Sequence, residues 1–324
     1  MHSLDYLQTL AVETIKEQQY IKQPFSLYEP IDYAMQQGGK RIRPLLVLLA
    51  ADMFNCELHK AKPAATAIEI LHNFTLLHDD IMDASPLRRG KPTVYKYYDA
   101  NTAILSGDTM FAMATATLLK SEPSLINELV NVFIQASIDV CEGQALDMEF
   151  EKQDNVTVEQ YIEMVRLKTS VLLGVSLKMG AIIAKANAQD TKLLEEFGES
   201  IGIAFQIQDD ILDCWSDLDV FGKVKGKDIV DNKKTFLYLK ALETSDNERQ
   251  KQLLDLFSLD SMDQDEKVRK VIAIYESLDI KEIAEKAKEH YTQRAMISLE
   301  GLSVNCKAKE NLITFAMRLL TREK

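Results

Sequence analysis

Asp79-Asp80-Ile81-Met82-Asp83 and Asp209-Asp210-Ile211-Leu212-Asp213 are two copies of a DDxxD motif, each at the end of an apolar run. On a helix, positions i and i+4 lie about 40° apart, so Asp79 and Asp83 leave one face one turn apart, as do Asp209 and Asp213. Each pair is an oxygen claw. Three carboxylates within one turn repel one another, and a helix N-terminus offsets that only in its first turn, whereas these motifs sit toward the ends of their runs. A cation must relieve them. All-oxygen donors suit Mg²⁺, with Mn²⁺ as a substitute, and Mg²⁺ keeps water and fills its remaining positions with phosphate oxygens. No DxDxDG loop is present, which argues against a calcium sensor. Either copy alone reads as a solvated acidic helix end; two copies together do not.

Cationic side chains flank the claws. Gly38-Gly39-Lys40-Arg41-Ile42-Arg43-Pro44 precedes the first, Arg88-Arg89-Gly90 follows it, and Gly222-Lys223-Val224-Lys225-Gly226-Lys227-Asp228, with Lys233 and Lys234, follows the second. Glycines beside Lys and Arg allow close backbone approach and bidentate phosphate contacts. Three such clusters around two metal claws suggest two diphosphates. His78, beside the first motif, is expected to hydrogen-bond rather than to ligate, because Mg²⁺ disfavours imidazole.

The elements that must hold these groups are helical. In 324 residues there are only 12 Gly and 7 Pro, and no Pro follows Pro123. A chain that omits the residue most disruptive to helix interiors over that length points to an all-α fold. Apolar residues recur at helical spacing, as in Val268, Val271, Ile272 and Tyr275, and no stretch alternates with period two. We expect about ten helices in one domain spanning 1–324, with breaks at Gly38-Gly39, Ser85–Pro92, Ser121–Ser124, Gly222–Gly226 and the polar stretch Ser245–Gln252. The net charge of -12 argues against a nucleic-acid partner. Cys56, Cys141, Cys214 and Cys306 have no CxxC spacing and read as reduced, mostly buried thiols. The N-terminus lacks an apolar signal core and the longest apolar run, Leu45–Ala51, is too short to span a bilayer, so the expectation is a cytoplasmic protein without stable membrane insertion.

These residues resemble the trans-isoprenyl diphosphate synthases, the polyprenyl synthetase family, over nearly the whole chain. The resemblance rests on GGKRIRPLL at Gly38–Leu46, LLHDDIMD at Leu76–Asp83 followed by PLRRGKPT, GQALD at Gly143–Asp147, Lys168-Thr169, FQIQDDILD at Phe205–Asp213, and GKVKGKD continuing into Asp231-Asn232-Lys233. It implies an all-α fold with a central cavity, both aspartate motifs facing it, and a homodimer. It further implies a Mg²⁺-dependent head-to-tail condensation of isopentenyl diphosphate with an allylic diphosphate (dimethylallyl, geranyl or farnesyl).

Residue by residue, Lys40, Arg43, His72 and Arg89 resemble positions that hold isopentenyl diphosphate. Asp79, Asp83 and Arg88 resemble those that hold the allylic diphosphate through the metal. Asp209 resembles the ligand completing the metal cluster, with Asp80, Asp210 and Asp213 in support. Lys168, Lys223 and Lys233 resemble groups on the allylic diphosphate, and Thr169 and Gln206 resemble residues that steady the developing cation. Arg322 and Lys324 loosely resemble a basic tail that closes over such a site. Below the first claw, Phe74 and Thr75, with Leu71 a turn further, resemble a floor that sets product length. An aromatic Phe74, a small Thr75 and a motif without insertion together resemble a geranylgeranyl (C20) synthase. Farnesyl (C15) and longer products are the alternatives. Two competing readings are a terpene cyclase, for which Lys40, Arg43 and the intact second motif are superfluous, and a non-catalytic regulatory subunit, which has no need of all six aspartates.

Overall fold

Side-chain caps mark where several helices begin. Ser3 accepts from the Tyr6 amide ahead of α1 (Leu4–Lys16), Asp99 from Thr102 ahead of α6 (Ala100–Leu118), and Thr157 and Gln160 form a reciprocal capping box at α8 (Val158–Val165). The remaining helices that matter for the site are α2 (Phe25–Gln36), α3 (Ile42–Met53), α4 (Leu58–Met82), α5 (Val94–Tyr97), α7 (Ile126–Lys152), α9 (Val171–Ile183), α10 (Ala188–Trp215) and α11 (Lys227–Val230). They are followed by α12 (Phe236–Thr244), α13 (Asn247–Ser258), α14 (Gln264–Ser277), α15 (Ile280–Glu300) and α16 (Lys307–Thr321). The computed structural model describes residues 2–215, 226–258, 262–304 and 307–321.

The all-α expectation holds. Among the described residues the strands are a two-residue pair, β1 (Leu87–Arg88) antiparallel to β2 (Lys91–Pro92). The helices outnumber the ten expected, because short left-handed turns, such as those at Asn55 and Lys185, divide longer apolar stretches. The expected break at Ser245–Gln252 is confined to its start: α13 begins at Asn247, and the polar residues that follow form its solvent face. Lys223, Lys225, Arg322, Lys324 and Cys306 lie outside the described residues.

The described residues fall into two compact units. The first comprises Met1–Val140, Val171–Glu199 and Met296–Arg318. Its centre is α3, buried from Pro44 to Met53, and α9, buried on nearly every side; helices apolar all round belong in a core. They approach closely because Gly180 leaves no Cβ against the Val47 carbonyl. The second unit comprises Cys141–Ser170, Ser200–Ala295 and Leu319–Lys324. Its core joins Tyr161, Ile207, Ile211, Phe236, Val271 and Tyr275.

One expectation needs correction. Of the three described cysteines only Cys214 is buried; Cys56 is half-buried and Cys141 exposed, because the face of α7 that carries Cys141 is left uncovered within this chain. The segment Pro123–Lys152 is, by length and composition, apolar enough to cross a membrane, which the count of consecutive apolar residues missed. Its apolar residues are interrupted by single polar ones such as Asn131 and Asp139.

Candidate active site

In the first unit the site is built on the last turns of α4. The Asp83 amide donates to the Asp79 carbonyl at 2.8 Å, so the two carboxylates of the claw stand one turn apart, with Asp83 capping the helix. Asp80 points inward, 4% exposed, and its Oδ1 accepts from Arg88 Nε at 2.7 Å, while Arg88 also lies 3.4 Å from Asp79 Oδ2. Burial pushes the Asp80 carboxyl up to about 6 even against the pull of Arg88. Arg88 thus spans the two aspartates, consistent with its expected place beside the claw.

Arg88 owes its position to the hairpin turn that follows it. Arg89 and Gly90, the two residues between β1 and β2, both have positive φ, 53° and 76°, the conformation that tight two-residue hairpins require. The turn directs Arg89 back onto Gly39, where its guanidinium donates to the Gly38 carbonyl. A Cβ on Gly39 would fall 2.8 Å from Arg89 Cζ, and φ there is +122°, so only glycine fits.

Arg43, at the second position of α3, and His72 of α4 lie close enough to feel these guanidinium groups. Burial holds the Arg43 guanidinium down to about 10, opposed by Glu69. Burial, reinforced by Arg43, Arg89, Arg88 and Arg41, holds His72 well below the ordinary imidazole value, so it is neutral. Lys40 is exposed.

Below the claw, Leu71 is fully buried and the Thr75 hydroxyl bonds the His72 carbonyl at 2.9 Å. Phe74 turns toward α6: its ring lies 5.7 Å from Phe111 and 4.8 Å from His78. His78 fits against Gly107, where a side chain would collide with it, and its Nε2 is 3.2 Å from the Ile104 carbonyl. That is the hydrogen-bonding role expected of it.

In the second unit Lys168 and Thr169 lie in a π-helical turn, Arg166–Ser170, inserted between α8 and α9. Such turns displace side chains from helical register and recur at functional positions. Lys168 Nζ is 2.5 Å from Asp147 Oδ2 on α7, and Gly143, a turn earlier, leaves no Cβ against the Lys168 backbone. The GQALD segment therefore seats this turn, a role its spacing alone did not disclose.

On α10, Asp210 is 2% exposed and accepts from Tyr161 OH (2.7 Å), the Phe236 amide (3.1 Å) and Gln206 Nε2 (3.3 Å). Burial, with Asp228 adding to it, pushes Asp210 up to about 7. Asp213 holds the start of α11, its Oδ2 accepting from the Asp228 amide at 3.0 Å and its carbonyl from the Gly226 amide at 2.8 Å. Asp209, half-buried, shares the i, i+4 face with Asp213. Lys233 Nζ lies 3.7 Å from Asp228 Oδ1. Asn232, at φ 56°, receives a hydrogen bond from Lys267, a lysine only 4% exposed that sequence reasoning did not single out.

Among the described residues no three or more His, Cys, Asp or Glu side chains form a closed metal cage. The donor set still fits a hard cation that takes its remaining oxygens from diphosphate and water. Each unit thus carries a carboxylate pair with amine or guanidinium groups beside it, an arrangement able to bind a phosphorylated substrate through a divalent ion and to stabilise negative charge on a leaving diphosphate.

The chain matches the sequence family described as Polyprenyl synthetase over residues 24–275. It is 39% identical over 256 residues to a short chain isoprenyl diphosphate synthase of Methanocaldococcus jannaschii, covering 79% of this chain and 78% of that one. It is 41% identical over 225 residues to a geranylgeranyl diphosphate synthase of Methanosarcina mazei, covering 69% of each. A crystal structure of a geranylgeranyl pyrophosphate synthase superposes with a TM-score of 0.95 at 42% identity, covering 100% of both chains.

Proposed function

The chain belongs to the polyprenyl synthetase family and is a trans-prenyltransferase that elongates prenyl chains, and from that premise we propose that it condenses isopentenyl diphosphate with dimethylallyl, geranyl and farnesyl diphosphates to release geranylgeranyl diphosphate (C20). The observation that carries this reading is the grouping of Arg43, Arg89 and a neutral His72 beside Arg88 and the Asp79/Asp83 claw. It places cationic groups next to a carboxylate pair, as the binding of diphosphates through a metal needs.

In this reading Lys40, Arg43, His72 and Arg89 bind the isopentenyl diphosphate headgroup. Asp79, Asp83 and Asp209 are the metal ligands, Asp80, Asp210 and Asp213 orient them, and Arg88, Lys168, Lys223 and Lys233 bind the allylic diphosphate. Enzymes of this family generally use a divalent metal, and the oxygen-only ligand set makes it Mg²⁺, with Mn²⁺ able to substitute. Bound Mg²⁺ supplies charge that draws electron density onto the leaving diphosphate. Thr169 and Gln206 present oxygen atoms to the allylic cation as the C–O bond breaks. The isopentenyl double bond attacks that cation, a C–C bond forms, and the proton lost passes to the departed diphosphate. Water must be kept from the cation, which it would quench.

In the same reading the whole chain, 1–324, is one catalytic domain. It works in the cytoplasm as a homodimer. Support for a second copy comes from apolar residues left exposed on α6 and α7, namely Ile104 (45%), Leu105 (58%) and Ile138 (45%). A second copy covering the exposed apolar residues of α7 also accounts for its apolar stretch without membrane insertion.

The purified protein with Mg²⁺ should release diphosphate only when isopentenyl and allylic diphosphates are both present. Release from the allylic substrate alone, with a hydrocarbon product, would identify a cyclase; turnover only on addition of a second protein would identify a regulatory subunit.

A further inference from the structure

Arg41 lies inside the GGKRIR segment, between the two side chains read as phosphate ligands, yet its own guanidinium is spoken for. NH1 donates to Glu69 Oε1 at 2.5 Å and NH2 to the Met35 carbonyl at 2.5 Å, and the residue is only 9% exposed. Arg41 therefore faces the protein while Lys40 faces solvent. Glu69, on α4, is 2% exposed. Asn73, one turn on, donates its side-chain amide to Glu69 Oε1 at 3.2 Å and to the Glu69 carbonyl at 2.8 Å, fixing the carboxylate from behind.

The backbone shows what this pairing accomplishes. Gly38, Gly39 and Arg41 have φ of 85°, 122° and 47°, three left-handed residues within four. Glycine adopts this region freely, but arginine does so only when its surroundings compel it. The Arg41 guanidinium ties the turn to α2 through Met35 and to α4 through Glu69 at once. The Arg41 carbonyl then accepts from the Leu45 amide at 3.2 Å, starting α3 with Arg43 in its first turn. The direction in which Lys40 and Arg43 leave the chain is set by that anchor.

We propose that Glu69 is a positioning residue of the isopentenyl diphosphate subsite: through Arg41 it holds the left-handed turn that aims Lys40 and Arg43, and its buried charge offsets the guanidinium groups crowded there. The proposal rests on the assignment of Lys40 and Arg43 to that substrate. The charge balance supports it, since Glu69 opposes the burial that lowers both Arg43 and Arg89. With Glu69 neutral, Arg41 becomes an uncompensated buried cation, leaves its pocket, and releases the turn.

The test is steady-state kinetics on Glu69→Gln, Arg41→Met and the double variant, each substrate varied in turn, with thermal melting as a check on folding. Removing both partners leaves no orphaned charge, so the double variant keeps the test open if Glu69→Gln folds poorly. The Michaelis constant for isopentenyl diphosphate should rise about tenfold or more, as small displacements of binding groups do. That for the allylic diphosphate should change less than about twofold, and the double variant should be no worse than the worse single one. Folded variants whose two Michaelis constants stay unchanged, or rise together, would overturn the proposal. Arg43→Ala separates the two layers. A raised isopentenyl diphosphate constant there but not in Glu69→Gln removes the positioning role alone, and an unchanged constant in Arg43→Ala removes the subsite assignment and the proposal with it.

Discussion

Lys168 and Asp147 form an ion pair, Nζ to Oδ2 2.5 Å, between the π-helical turn that carries the Lys168-Thr169 pair and the end of α7. The aspartate is 37% exposed and the lysine 24%, so the pair adds little to stability, about 0 to 1 kcal/mol for a solvent-screened bridge. Its consequence is direction: the ammonium is held on one side of the turn.

Asp147→Asn should therefore lower kcat by about tenfold while leaving thermal stability within about 1 kcal/mol of wild type. Turnover and melting curves on the same preparation decide it. A variant with full activity would show that Lys168 finds its place without Asp147.

Asp79→Ala and Asp209→Ala should each cut kcat by about 10² to 10³, the usual loss when one group that stabilises transition-state charge is removed. Circular dichroism should show helix content unchanged, because neither carboxylate caps a helix start. Chelation of divalent ions should abolish turnover of the wild type, and Mg²⁺ should restore it. Near-normal turnover of either variant at saturating Mg²⁺ would remove that aspartate from the ligand set.

His72 makes an acid-sensitivity prediction. Its folded pKa lies well below the unfolded value near 6.5, so below about 6.5 the unfolded chain binds a proton that the folded chain refuses. Stability is then lost as pH falls through and below 6.5, at up to about 1.4 kcal/mol per pH unit. His72→Asn lacks this penalty, so the stability of wild type relative to the variant should decline between pH 7 and pH 5.5 in urea titrations. Parallel pH profiles would mean that His72 is protonated as easily folded as unfolded.

What the sequence disclosed were features that act within a few residues. The i, i+4 carboxylate pairs, the helical spacing, and the breaks at Gly38-Gly39 and Ser85–Pro92 all depend on local geometry, and all appear. What stayed hidden were partners that helix packing brings from far along the chain. Tyr161 meets Asp210 across 49 residues, Lys267 meets Asn232 across 35, and Arg41 meets Glu69 across 28. No periodicity marks such pairs. Gly143 is an intermediate case: its motif was visible, but only the backbone of Lys168 lying against it shows why a side chain is forbidden there. The exposed Cys141 was misjudged because composition does not reveal which helix face the chain leaves uncovered.

We expect product length to depend on Phe74 and on a residue that sequence spacing did not suggest. Ideal helix geometry puts Phe74 about 140° around α4 from Asp79, beside the line that runs from the claw through Thr75 to Leu71. The side chain is directed toward α6, where it meets Phe111 at 5.7 Å with His78 against its other edge at 4.8 Å. In the proposed reading, a prenyl chain growing down α4 from the claw would meet these two aromatic rings at this level, with the smaller Thr75 side chain beside them. Shortening only one ring should open part of the barrier, because the other remains, and shortening both should open it further. Phe74→Ala and Phe111→Ala should each lengthen the product beyond C20, and the double variant should lengthen it more than either alone. Thr75→Phe should fill the space above the rings and shift product toward C15. Chromatography of dephosphorylated products from each variant, at equal substrate ratios, gives the chain lengths directly. Wild-type products of C30 or longer, or an unchanged product from Phe74→Ala, would show that the chain ends elsewhere, and an unchanged product from Phe111→Ala alone would leave Phe74 as the sole barrier.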